Sequence, residues 1–133
     1  MTAQRLSGEI LVAGTATGPL LKLAGPISFW GGVDPATGTI VDVRHPDHGK
    51  SIAGTMLALP GTIGSSSSSS VLLELVHAGK APAGLILVEV DAILLLGLVV
   101  AGEMGWPVPP ALKIGRADFA ALQSGNYAIG PTR

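Results

Sequence analysis

The chain has 133 residues, 47% hydrophobic and only 13% charged, with a formal net charge of -1. That length holds one domain able to bury about two-thirds of its unfolded surface, and the sparse charge, against about 25% in an average domain, leaves apolar surface for another protein chain. Eight scattered Lys and Arg argue against nucleic acid as a partner, and the absence of Cys rules out disulfides, thiolate nucleophiles and thiolate ligation of zinc or an iron–sulfur cluster by this chain.

The opening MTAQRLSGEILVAG lacks the charged region, apolar stretch and cleavage site of a secretory signal, so a cytoplasmic protein is expected. Residues 9–16 and 27–30 are short apolar runs punctuated by Gly and Pro, and read as strands. The second ends in a turn at Asp34-Pro35-Ala36-Thr37-Gly38, and residues 39–43 are expected to form the next strand. Residues 44–50 are polar and turn-rich and read as a surface loop; residues 52–59 form an apolar run that stops at Pro60.

A loop with six consecutive serines, residues 65–70, follows, and residues 71–79 then show helical spacing ending in Gly79. Residues 83–90 suit a strand buried on both faces, and residues 92–101 an apolar helix. Glu89 and Asp91 interrupt this apolar region, which falls short of the roughly 20 residues of a membrane span. A buried charge is costly without a partner, so each should find one or reach a surface. Residues 112–114 read as a short strand and 117–122 as a short helix or turn; the tail after Gly125 has no periodic signal.

The serine tract has three readings. Serine-rich segments form flexible linkers, but an apolar run lies immediately on each side, and a single domain is expected over these 133 residues, leaving a linker nothing to join. Serine also caps helices, and Ser69 or Ser70 can do so here. The same geometry can serve a site, because N–H groups at Gly64, Ser65 and Ser66 near a helix N-terminus stabilise an anion such as a carboxylate. Spacing does not separate capping from catalysis. His45 and His48 flank Asp47, but a metal site wants three or four converging ligands, so a solvated loop is expected. Asp34 has the setting of an Asx turn, with a site role as the other reading. His77 is read as structural, and Trp30 and Trp106 as core or interface anchors.

Three blocks together carry a resemblance. They are Ile27-Ser28-Phe29-Trp30-Gly31-Gly32-Val33-Asp34-Pro35-Ala36-Thr37-Gly38, then Asp47-His48-Gly49-Lys50-Ser51-Ile52-Ala53-Gly54, then Leu59-Pro60-Gly61-Thr62-Ile63-Gly64-Ser65-Ser66 with Val71-Leu72-Leu73-Glu74. The chain resembles the small subunit of aconitase X over nearly its whole length. The resemblance implies an α/β fold: a swivelling β/β/α domain, residues 1–133, with a β-rich open barrel or sandwich-like core and flanking helices. It implies a hydro-lyase active only with a large subunit, which carries the iron or iron–sulfur centre, so that no cofactor or metal is held by this chain alone. It implies Ser65 as the proton-abstracting base, with Gly64, Ser66, Ser67 and Asp34 binding substrate.

Members of this family include cis-3-hydroxy-L-proline dehydratase and mevalonate 5-phosphate dehydratase. Gly61-Thr62-Ile63 carries no Arg or Lys for a phosphate, which favours the small hydroxy acid cis-3-hydroxy-L-proline, giving Δ1-pyrroline-2-carboxylate. Aconitase proper has arginine after its serines where this chain has Ser67. A noncatalytic anion-binding or scaffolding module and a phosphotransfer swivelling domain are the alternatives.

Overall fold

The structure, a computed structural model, describes residues 3–130. One mixed seven-stranded sheet runs in the order β1-β7-β3-β4-β5-β6-β2. Its strands are β1 (Gln4–Arg5), β2 (Glu9–Val12), β3 (Ala16–Lys22), β4 (Met56–Leu59), β5 (Gly84–Leu87), β6 (Ala111–Lys113) and β7 (Asn126–Ile129). The four helices are α1 (Phe29–Gly32), α2 (Ser68–Ala78), α3 (Ala92–Glu103) and α4 (Arg116–Ala121).

β3, β4, β5 and β6 pair in parallel, whereas β2 runs antiparallel to β6 and β7 antiparallel to β3. β3 changes partner along its length: residues 16–19 pair with β7 and residues 20–22 with β4, and the sheet curls there. A curled sheet with helices against it meets the expected β-rich α/β core; it is one sheet rather than two stacked ones.

Every residue of β4 and β5 is buried, as a run rich in Leu and Ile requires when both faces are covered. Leu57, Leu59, Leu85 and Leu87 pack with Leu72 and Leu75 of α2 and Leu94 and Leu98 of α3. Met56, Ala58 and Ile86 face the other way, toward Tyr127 and Ile129 of β7 and Phe119 of the short α4. α2 stops at Gly79, whose left-handed backbone (φ 71°) lets its N–H reach the carbonyls of Leu75 and Val76. The two long helices meet closely: a Cβ on Gly97 of α3 would stand 2.5 Å from the Ser69 carbonyl oxygen of α2.

Several expectations need correction. Residues 27–30 do not form a strand: Ile27 makes one bridge to Thr62 and α1 is a single distorted turn, with Gly31 at positive φ. Residues 39–43 contribute isolated bridges only, Thr39 to Ser51 and Ile40 to Val33. The run over residues 52–59 becomes strand only from Met56, after a turn through Gly54. The loop over residues 44–50 is not wholly solvated, because His45 and Asp47 are buried. Neither Ser69 nor Ser70 caps α2; the N-cap is Ser67, without a side-chain cap bond. The tail beyond Gly125 supplies β7, and β1 was equally unforeseen.

Candidate active site

The serine loop leaves the carboxyl end of β4, among the parallel strands, where the crevice beyond the strand ends is the usual ligand site of α/β sheets. Two attachments fix its first half. The Ile63 N–H donates to the Ile27 carbonyl at 3.0 Å, extending the bridge at Thr62. The Thr62 hydroxyl donates to Asp91 Oδ2 at 2.7 Å. Asp91 also N-caps α3, its Oδ1 accepting from the Leu94 N–H at 3.0 Å. Asp directly before an apolar helix is the sequence signature of such a cap, and it could have identified Asp91.

Beyond Gly64 the chain turns on itself. Ser65 Oγ accepts from the Ser67 N–H at 3.2 Å, and the Ser65 carbonyl accepts from the Ser68 N–H at 3.2 Å. The donors at the start of α2 are thus satisfied in part by Ser65. Ser65 and Ser67 are half-buried, Gly64 and Ser66 exposed, and Ser68 buried. Ser70 Oγ bonds back to the Ser67 carbonyl at 2.8 Å. A Cβ on Gly64 would meet nothing within 4 Å, so the backbone there is open to approach. Gly64, Ser65, Ser66 and Ser67 therefore share one turn.

Asp34 stands apart from that turn. Its Oδ1 accepts from the Ala36 N–H at 2.9 Å and its carbonyl from the Gly38 N–H at 2.8 Å, the Asx geometry expected of it. It lines a groove of about 510 Å³ with Trp30, Val41 and Val71, and Val71 lies in α2 one residue past the serine tract. A larger cavity, about 630 Å³, opens at the other end of β3 between Thr15, Ile129 and Gly130. The one charged side chain lining it, Arg5, is already bonded to the Gly130 carbonyl.

A buried polar cluster supports the chain leaving β3. Asp47 accepts from the Ala24 N–H and from Lys50 Nζ, each at 2.9 Å. The Asp47 N–H donates to His45 Nδ1 at 3.0 Å, which leaves His45 Nε2 as the donor to the Gly25 carbonyl at 3.0 Å. Burial works against the Asp47 carboxylate, but the Ala24 N–H and the Lys50 ammonium outweigh it and hold its pKa below the usual range. His45 adds to that field only when protonated, and its Nδ1 is occupied as an acceptor. Glu89 is exposed beside Gly61 and meets Arg116 at 3.4 Å, the surface partner its position called for.

Among the described residues no three of His, Asp and Glu converge to hold a metal ion, and there is no Cys. The side chains here do not fit an iron or iron–sulfur centre. No helix among the described residues is long and apolar enough to cross a membrane.

Residues 5–130 match the family model of the aconitase X swivel domain. The chain belongs to the aconitase X swivel family. The swivel domain is 51% identical over 112 residues to a cis-3-hydroxy-L-proline dehydratase of Pseudomonas aeruginosa, covering 84% of this chain and 19% of that protein. It is 42% identical over 122 residues to a phosphomevalonate dehydratase small subunit of Thermococcus onnurineus, covering 92% of this chain and 88% of that one. The crystal structure of Thermococcus kodakaraensis aconitase X in its holo-form superposes with a TM-score of 0.78 at 33% identity, covering 90% of this chain and 86% of that chain. The swivel domain thus spans about a fifth of the length of the cis-3-hydroxy-L-proline dehydratases it matches. The family expected from the Gly-Gly-Val-Asp-Pro block and the Gly-Ser-Ser loop is borne out, and these relatives are dehydratases.

Proposed function

We propose that this swivel domain is the small-subunit part of a hydro-lyase that eliminates water from a hydroxy acid, with Ser65 as the base. The observation that carries the reading is the seat of Ser65: its Oγ lies at the entrance to α2 and accepts the Ser67 N–H. A serine hydroxyl is a weak base until its alkoxide is stabilised, and an N–H donor together with the positive end of an eleven-residue helix does so. Ser65 then takes the proton from the carbon next to the substrate carboxylate. The C–H electron pair becomes a C=C bond as the C–O bond to the hydroxyl breaks, and the proton and hydroxide leave together as water. Gly64 and Ser66, both exposed, form the substrate side of the turn, with Ser67 behind them and Asp34 at the neighbouring groove.

The favoured substrate is cis-3-hydroxy-L-proline, whose enamine product tautomerises to Δ1-pyrroline-2-carboxylate. The uncharged Gly61-Thr62-Ile63 segment and the 51% identity to a dehydratase of that name support it. Mevalonate 5-phosphate is the second reading, favoured by small subunits of phosphomevalonate dehydratases that match this chain over most of their own length. Either reading leaves departure of the hydroxide, and any iron or iron–sulfur centre, to a larger partner subunit.

The test is turnover of both substrates by the chain co-expressed with its large subunit, with Ser65→Ala in parallel. Loss of about 10² to 10⁴ in kcat in the variant, with assembly intact, is the expected result for a lost general base. Full turnover by Ser65→Ala would remove Ser65 from the mechanism. Binding of a hydroxy acid without turnover by the parent would support an anion-binding module instead.

A further inference from the structure

We propose that Thr62 and Asp91 are positioning residues, through which the start of α3, together with α2, sets the seat of Ser65; the proposal rests on Ser65 being the base. Asp91 has both carboxylate oxygens committed, Oδ1 to the Leu94 N–H at 3.0 Å and Oδ2 to the Thr62 hydroxyl at 2.7 Å. A carboxylate held at both oxygens cannot rotate without giving up a bond. The helix start and the loop are therefore fixed to each other through one side chain.

A second contact lies on the far side of the serine turn. The Ser69 carbonyl packs so closely on Gly97 that a Cβ there would come within 2.5 Å of it. The turn carrying Ser65 thus runs between two contacts on α3, at Thr62 and at Ser69. Within it the bonds are short-range: Ser67 N–H to Ser65 Oγ and Ser68 N–H to Ser65 O. Such bonds shape the turn but do not locate it on the fold. Its location is set at its ends, and the Thr62 end depends on one hydroxyl and on the backbone bond from Ile63 to Ile27.

Thr62→Val keeps the shape and removes the hydroxyl, leaving Asp91 able to cap α3. A displacement of about 1 Å at a reacting group costs on the order of 10²-fold in rate. In the co-expressed complex, Thr62→Val is expected to lower kcat roughly 10- to 100-fold with KM little changed, and Thr62→Ser to restore most of the loss. Amide exchange at Ile63, Ser67 and Ser68, whose N–H groups are hydrogen-bonded, measured on the same complex, should accelerate in Thr62→Val and not in Thr62→Ser.

Unchanged kcat together with unchanged exchange in Thr62→Val would overturn the proposal, as would an equal loss in Thr62→Ser. Ser65→Ala in the same assay separates the two readings. If that variant turns over normally, the base assignment fails, and exchange alone decides whether Thr62 holds the loop.

Discussion

Asp47 sits in a loop whose residues, Arg44 to Lys50, have the composition of a solvated turn. Its burial comes from Ala24 and Gly25, more than twenty positions earlier, whose backbone groups it and His45 satisfy. Nothing in the local spacing signals that, so the cluster was not legible in the sequence. Because the folded pKa of Asp47 is depressed, the stability it contributes is complete above its ordinary value near 3.8 and is lost as pH falls through the lowered folded value. Asp47→Asn keeps an oxygen for Ala24 but loses the Lys50 partner. Thermal unfolding should show it destabilised by about 1 to 2 kcal/mol at neutral pH, with the gap to the parent closing below about pH 4.

The serine tract was legible as a loop preceding a helix, but its residues were not separable by type. Position separates them: Ser65 faces its own turn, Ser68 is buried, and Ser70 bonds to the Ser67 carbonyl. Ser70→Ala should leave turnover within about twofold and stability within about 0.5 kcal/mol. Loss of turnover in that variant would show the catalytic register to lie further along the tract.

At the scale of elements, what could be read from sequence was what is locally self-sufficient. α2 and α3 have apolar runs with clear ends, Gly79 and Asp91, and β4 and β5 are apolar on both faces. Strands β1 and β7 are two and four residues long and exist because β7, from the far end of the chain, pairs with β1 on one side and β3 on the other. Residues 39–43 have strand composition but find only single bridges, since their neighbours are turns. The α2–α3 contact tests the packing directly. Gly97→Ala raises helix propensity by up to about 1 kcal/mol, yet its methyl would meet the Ser69 carbonyl, a backbone atom that cannot swing away. A net loss of about 1 to 3 kcal/mol in the unfolding free energy, measured by urea denaturation, is expected. A net gain would show that α2 shifts freely.

At the scale of the molecule, α3 is apolar all round, and Ile93, Leu96 and Val99 remain exposed on its outer face. The low charge content foretold such surface but could not say where it lies, because a helix apolar on every side has no periodicity to orient it. Leu96→Lys should leave the unfolding free energy within about 0.5 kcal/mol while reducing the binding of an apolar dye to the isolated chain. An unfolded variant would mean that Leu96 is held in place by contacts that its exposure does not reveal.

The pairing of β1 with β7 brings Gln4 beside Tyr127, and Arg5 reaches across to the Gly130 carbonyl. Entry and exit of this fold share one edge of the sheet. Such a unit needs a single attachment point: it can hang from a longer polypeptide by a short tether or travel as a separate gene product with every strand unchanged. Relatives in which it makes up a fifth of the protein, and others that match it over most of their length, occupy those two arrangements. Fusion and fission across the family would then be changes of linkage alone, requiring no rebuilding of the serine turn.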